Sequence, residues 1–441
     1  MKILLKTDTR LTNKGDDMLI EFNAANVLSF KDNARLSMVA SNDDGLADNN
    51  TFSEDNLKLL KSAVIYGANA SGKSNLLAAM HFMRHMVINS SKDTQANEEI
   101  DIDSFKLSSM CEGKPSSFEI VFICSSGKYR YGFEVDRNNV HSEWLFNIPK
   151  TREAELFLRE GNSFKVNKLR FKEGKDLEEK TRDNALFLSV CAQFNGKISK
   201  NILTWFRNFR FIHSVNEAGP LGLTVDMLKE PERKKRIMAM TNIADLGIDD
   251  LRGRKEKITL EKLPKDMPDE LKKELIATGV MEIEMKTVHR KYGLKNEAVG
   301  DVIFDLDENE SAGTRRYLSM VGAILDTLDN GRILVIDELD ARLHPLLTRS
   351  IVSLFNSPAN RSKAQIIFAS HDTGLLDKEL FRRDQIWFTE KDRYGATSLY
   401  SMIELKGIRK EASFGKDYIL GKYGAIPFIG DPSWIFCEVN K

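Results

Sequence analysis

Residues 67–74, Gly67-Ala68-Asn69-Ala70-Ser71-Gly72-Lys73-Ser74, match the phosphate-binding pattern G-x-x-x-x-G-K-[ST] in full. The pattern constrains the fold because it works only between a buried strand and the N-terminus of a helix. Both flanks fit. Ser62 to Tyr66 reads as a short buried strand, and Asn75 to Val87 as a helix with Leu76, Leu77, Met80, Met83, Met86 and Val87 on its apolar face. In such a loop the glycines let backbone N–H groups close around phosphate oxygens, Lys73 neutralises charge, and the Ser74 hydroxyl is placed to ligate Mg2+. The loop therefore implies a bound nucleotide.

A chain of 441 residues exceeds a single compact core and suggests two or three units. Its 65 Lys+Arg balance 65 Asp+Glu, so a nucleic-acid coat or an anionic membrane would have to be met locally. Cys111, Cys124, Cys191 and Cys437 form no C-x-x-C pair, which fits a reducing compartment and argues against a disulfide framework. No apolar run approaches the roughly 20 residues of a membrane span, and the N-terminus lacks a signal-peptide core. The expected location is the cytoplasm, with no membrane partner.

Residues 1–17 read as a polar extension. From Met18 to about 100 the pattern is a first part of an α/β core, with Leu19 to Phe22 and Val27 to Phe30 expected as paired strands and an Asp/Asn-rich loop over Ser41 to Asn50. Residues 101–197 switch to hairpin signatures, Phe118 to Ile123 and Tyr129 to Val135 among them, and predict an antiparallel β lobe. Residues 198–300 read as a mainly helical insertion, including a charged helix from Glu232 to Leu246 and a surface connection or short helix over Leu263 to Lys273. Residues 301–441 return to strand-helix alternation: helix Tyr317 to Leu328, strand Ile333 to Ile336, helix His344 to Phe355, strand Gln365 to Ala369 and helix Leu375 to Leu380.

The last third supplies the other half of a site. Asp337 and Glu338 end a continuous apolar run, the form of a buried parallel strand delivering carboxylates at its C-terminal edge. Asp337 suits Mg2+, and Glu338 is placed to orient or deprotonate an attacking water. Ala369-Ser370-His371-Asp372 ends the next strand, so His371 is expected beside Glu338 and within reach of a γ-phosphate. Glu310-Ser311-Ala312-Gly313-Thr314-Arg315-Arg316 opens a helix and makes a second phosphate-binding device. One chain cannot easily present both devices to one nucleotide, which points to two chains sandwiching two nucleotides.

The set GANASGKS, ESAGTRR, ILVIDELDARLHP and ASHD, in that order, resembles the ABC/SMC-type ATPases, in which the Walker A loop of one subunit and the signature helix of another close on ATP. Within them, MLIEFNAANVLSFKD, ALFLSVCAQFN and KDYILGKYGAIPFI resemble the AAA15-type bacterial family of RloA-like and PARIS AriA-like phage-defence ATPases. The resemblance implies an α/β fold: an ABC-type P-loop ATPase core with an antiparallel β lobe and an inserted mainly helical lobe. It implies that Gly67, Asn69, Ser71, Gly72, Lys73, Ser74 and Asn75 hold the phosphates of ATP, Asp337 and Ser74 the Mg2+, and that Glu338 is the catalytic base. Ser311 and Gly313 would reach the partner's γ-phosphate, Asp340 would lie at the dimer seam and His371 would be the switch histidine. Gln193 would be the Q-loop residue, although an amide there serves equally as a plain capping group. The signature departs from the transporter form LSGGQ, with Glu310 for Leu, Ala312 for the first Gly and Thr314 for Gln.

The family further implies a homo-oligomer, dimer or larger ring, that controls a separately encoded effector, for example a Toprim-type nuclease, when a phage trigger protein is sensed. No second catalytic constellation is found in the sequence. The alternative is an SMC-like DNA clamp, for which Arg233 to Arg236 and Arg252 to Lys257 are the available basic clusters; acids interrupt both, which favours solvated helix faces. Arg315 and Arg316 are expected to serve phosphate or the dimer seam. His81 and His85, spaced i, i+4, read as helix-surface histidines rather than a metal pair.

Overall fold

The computed structural model describes residues 17–431, apart from 93, 94, 96, 214–217, 261, 262, 264, 265, 278, 280, 409–411 and 428. Residues 1–16 of the expected extension and Cys437 lie outside the described residues. The chain opens with β1 (Met18–Ala25), β2 (Ala34–Ser37), a helical turn α1 (Ala47–Asn50) and the hairpin β3 (Thr51–Glu54) and β4 (Leu57–Leu60), followed by β5 (Ser62–Gly67) and α2 (Lys73–Asn89). An antiparallel run follows: β6 (Ser116–Cys124), β7 (Gly127–Val135), β8 (Val140–Asn147), β9 (Ala154–Glu160) and β10 (Ser163–Val166). Helices α3 (Phe187–Gln193) and α4 (Lys197–Asn208) lead to β11 (Phe209–Ile212). The insertion holds α5 (Ala218–Met227), α6 (Pro231–Ile243), β12 (Asp250–Lys257), α7 (Asp269–Ala277), β13 (Met281–Tyr292) and β14 (Ala298–Asp305). The last third carries α8 (Leu306–Asn309), α9 (Ala312–Asn330), β15 (Ile333–Ile336), α10 (Pro345–Phe355), β16 (Gln365–Ala369), β17 (Ile386–Lys391), β18 (Thr397–Ser401) and α11 (Phe414–Ile419).

The core sheet runs β11-β15-β16-β5-β17-β18, parallel except for β18. Its central strands β5, β15 and β16 are buried at every residue, as expected where helices cover both faces of a parallel sheet. β5 lies between β16 and β17, so the phosphate loop leaves the middle of the sheet, two strands from the end of β15.

The β lobe is larger than its own segment. β1 and β2 join β6 to β10 in one seven-stranded sheet, so the opening strands belong to this lobe rather than to the nucleotide core. Val27 to Phe30 is not a strand. It closes a tight turn with Asn26 and Leu28 at φ 50 and 52, and β1 pairs instead with β2 and β6. The expected loop over Ser41 to Asn50 contains α1 and feeds the β3–β4 hairpin. Inside the lobe, Glu143 and Arg159 are buried together. The Glu143 carboxylate accepts the N–H groups of Phe187 and Leu188 and the Tyr131 hydroxyl, which fastens the lobe to the start of α3.

The insertion is helical only in part. β12, β13 and β14 form a three-stranded antiparallel sheet, whose polar alternation (Met281-Glu-Ile-Glu-Met-Lys-Thr-Val288) has the period of a half-buried strand. Leu375 to Leu380 is also not an α-helix: a single 3-10 turn covers Thr373–Leu375. α5 packs against α9 at Gly322, where an added Cβ would meet the Thr224 backbone at 2.6 Å. The buried Thr224 hydroxyl sits within the α9 ladder, taking the Gly322 N–H and donating to the Leu318 carbonyl, both at 3.0 Å.

Candidate active site

The phosphate loop is held before any ligand contacts it. Gly67 must be glycine, since a Cβ would lie 2.4 Å from the Thr389 carbonyl and from the Ser71 hydroxyl. Gly72 has φ 111 and faces the Thr397 side chain at 2.6 Å, so both its conformation and its space exclude a side chain. Ser71 bonds Thr389 at 2.7 Å, Thr397 donates to the Ser71 carbonyl, and Asn75 donates to Ser29, which also meets Thr397. Asn75 is therefore engaged by the loop after β1. Asn69 is exposed at the loop apex.

Lys73 is buried, and its ammonium donates to the Gly67 and Ala68 carbonyls at 2.9 and 3.0 Å. Burial lowers its pKa, while Asp337, Glu338 and Asp340 pull it back up. The Ser74 hydroxyl donates to the Asp337 carboxylate at 3.1 Å. A hydroxyl and a carboxylate at this separation are the hard oxygen pair a Mg2+ ion takes from a protein that leaves its other positions to phosphate and water.

Asp337 continues the β15 ladder by donating its N–H to Ile212. Glu338 follows with φ 51, a left-handed conformation that a residue with a side chain rarely adopts; the chain turns there while the strand behind it stays paired. Asp340 accepts the His371 N–H through both oxygens, at 3.2 and 3.3 Å, which joins the ends of β15 and β16. Burial lowers the His371 pKa and Lys73 adds repulsion, against attraction from Asp340, Glu338 and Asp337. These five groups thus share one electrostatic site at the C-terminal edge of the sheet.

Ser311 is the N-cap of α9, accepting the Thr314 N–H at 3.1 Å. A Cβ on Gly313 would lie 2.7 Å from the Arg342 carbonyl, in the loop after Asp340. Among the described residues, neither Ser311 nor Gly313 is hydrogen-bonded to the phosphate loop. Gln193 is exposed at the last turn of α3 and makes no hydrogen bond to the loop or to Asp337. Arg315 and Arg316 are not held out for phosphate. Arg315 donates to the Asp307 carbonyl, while Arg316 is buried and donates to the carbonyls of His213 and Asp337.

Residues 62–377 match the model of the family described as "AAA domain, putative AbiEii toxin, Type IV TA system". The chain belongs to this AAA family. It is an ATPase, and the core that carries its phosphate loop is of mixed α/β class. No curated protein matches it. Among solved structures, it is similar to the SMC head domain from Thermotoga maritima, at 12% identity over 87% of this chain and 98% of that one, TM-score 0.38. An SmcHead bound to the C-winged helix domain of ScpA matches at 12% identity, 87% and 97% coverage and TM-score 0.41. A Smc head domain with an extended coiled coil, bound to the C-terminal domain of ScpA derived from Pyrococcus furiosus, matches at 12%, 92% and 99%, with TM-score 0.37.

The sequence reading of this AAA-family site missed Thr389 and Thr397, on β17 and β18, and Ser29, in the turn after β1, three hydroxyls that bracket the loop. No local signal marks them, because the pairing of β17 with β5 and of β18 with β17 brings the two threonines there, and the turn after β1 brings Ser29.

Proposed function

We propose that this ATPase is a regulatory subunit that oligomerises through shared ATP sites and controls a separate effector protein in bacterial anti-phage defence. The observation that supports it is the division of the two phosphate-binding devices. Lys73, Ser74, Asp337, Glu338 and His371 share one sheet edge, whereas Ser311 and Gly313 open a 19-residue helix beside Arg342 and share no hydrogen bond with the phosphate loop. A second copy of the chain would bring the Ser311 edge to the first copy's ATP.

In this reading Gly67, Ser71, Gly72 and Lys73 hold the phosphates, with Asn69 at the loop's apex and Asn75 in the first turn of α2. Mg2+ on Ser74 and Asp337 would offset phosphate charge. Glu338 takes a proton from the attacking water, and His371 lies beside the γ-phosphate. Asp340 and Gln193 are assigned to the seam and to the lobe boundary. The DNA-clamp reading draws little from the insertion, where acids engage four of the clustered basic side chains: Glu230 engages Arg233, Asp250 Lys234, Asp329 Arg236 and Asp226 Lys255. No helix among the described residues is long and apolar enough to cross a membrane.

The test is native mass measurement on Glu338→Gln with and without Mg·ATP, followed by affinity capture from native cells. ATP-dependent assembly with a stoichiometric second protein is the expected result. A monomer in saturating Mg·ATP would sink the shared-site reading.

A further inference from the structure

The residue before the N-cap of α9 is anchored to the inserted sheet by charge. The Glu310 side chain is 10% exposed, and its carboxylate takes the Thr287 hydroxyl at 2.5 Å and His289 Nε2 at 2.7 Å. Thr287 and His289 both lie on β13, the central strand of that sheet. The other ring nitrogen, Nδ1, lies 2.9 Å from the Gly247 carbonyl, and Phe304 packs against the imidazole with centroids 4.8 Å apart. The Glu310 carboxylate thus gathers a hydroxyl and an imidazole nitrogen from one strand, while the imidazole is held on its other side by a backbone carbonyl.

An acid here is a physical choice with a cost, since a nearly buried carboxylate is tolerated only when paired. Directional bonds fix what an apolar side chain would merely fill. The body of α9 has other holds on the insertion, from Tyr317 to the Met240 carbonyl and from Thr224 to Leu318. Among the described residues, the Glu310 clamp is the hold on the insertion that acts on the residue adjoining Ser311.

We infer that His289 and Glu310 are positioning residues for ATP hydrolysis: through this clamp the β12–β14 sheet sets the placement of the Ser311–Gly313 edge against a partner's ATP. The inference rests on the shared-site reading above. Neither residue touches substrate; both act through Ser311.

The experiment places His289→Leu, Glu310→Leu and the double substitution in the Glu338→Gln background and measures the ATP concentration for half-assembly by sedimentation velocity. The same variants in the parent protein are read by steady-state kinetics. Each single substitution should raise the half-assembly concentration about tenfold, as expected for loss of a charged hydrogen bond. KM should move more than kcat, and the double variant should be no worse than the poorer single. Glu310→Gln keeps the side-chain shape and should shift assembly in the same direction by less, which covers the case of a leucine variant that does not fold. Unchanged assembly in folded single variants, or additive losses, overturns the clamp alone. Failure of Glu338→Gln itself to assemble overturns the shared-site reading and the clamp with it.

Discussion

His81 offers a prediction whose size follows from its surroundings. It lies on α2, two turns past Lys73, with its ring edge-on to Phe211 at 5.2 Å and to His213 at 5.0 Å, so it is not the surface residue its spacing with His85 suggested. His85 is exposed, as expected, and meets Asn89. Burial lowers the His81 pKa from 6.5 to about 4, and His213, Arg84 and His85 all add to the effect. The folded protein therefore keeps His81 neutral where the unfolded chain is already protonated. Stability from this group is present above pH 6.5 and is lost as pH falls from there toward 4. The shift corresponds to about 3.4 kcal/mol at full burial. Solvent screening of a partly exposed ring reduces that to about 2 kcal/mol. His81→Phe retains the aromatic edge contacts and removes the titration. Urea midpoints at pH 7.5, 6, 5 and 4.5 should diverge progressively, with the variant gaining on the parent as the medium acidifies. Parallel curves across that range would refute the reasoning, because they would mean that His81 charges as easily in the fold as outside it.

Two further outcomes follow from close contacts. Gly67→Ala drives a Cβ to 2.4 Å from the Thr389 backbone, so the loop and β17 must separate; the KM for ATP should rise by roughly tenfold or more, and an unchanged KM would show that the loop tolerates the displacement. Thr224→Val preserves shape but removes the hydroxyl acceptor of the Gly322 N–H, and should destabilise by about 1–3 kcal/mol in chemical denaturation. No change would mean that α9 compensates within its own ladder.

The nucleotide core was legible because its signals are local. A full phosphate-loop match between an apolar strand and an apolar helix face placed β5 and α2 to within two residues, and the run ending at Asp337-Glu338 placed β15. The antiparallel lobe was legible from its hairpins, but its size was not: β1 pairs with β6 across nearly a hundred intervening residues, a choice made by sheet packing. Val27 to Phe30 failed as a strand because alternation alone does not reveal positive φ at Asn26 and Leu28. The inserted sheet hid behind charge. β12 is charged along most of its length, and in β13 Glu282, Glu284 and Lys286 alternate with buried Ile283, Met285 and Thr287 because one face is solvated; such segments score as charged helix or loop. At the site, residue types were readable while their engagements were not. Arg316 was expected to serve phosphate or the dimer seam, and its burial against the His213 and Asp337 carbonyls is written in no motif; the Glu310–His289 contact likewise spans two segments that no motif connects.

The Arg316 guanidinium makes the start of α9 and the end of β15 a single lever, since it grips the Asp337 carbonyl from the helix that Ser311 caps. In the pair of subunits proposed above, a helix drawn toward the neighbour's nucleotide would tug on the backbone that presents its own subunit's Asp337 and Glu338. Occupancy of one composite site would then be felt at the other, and turnover in such a pair would rise with a Hill coefficient above one.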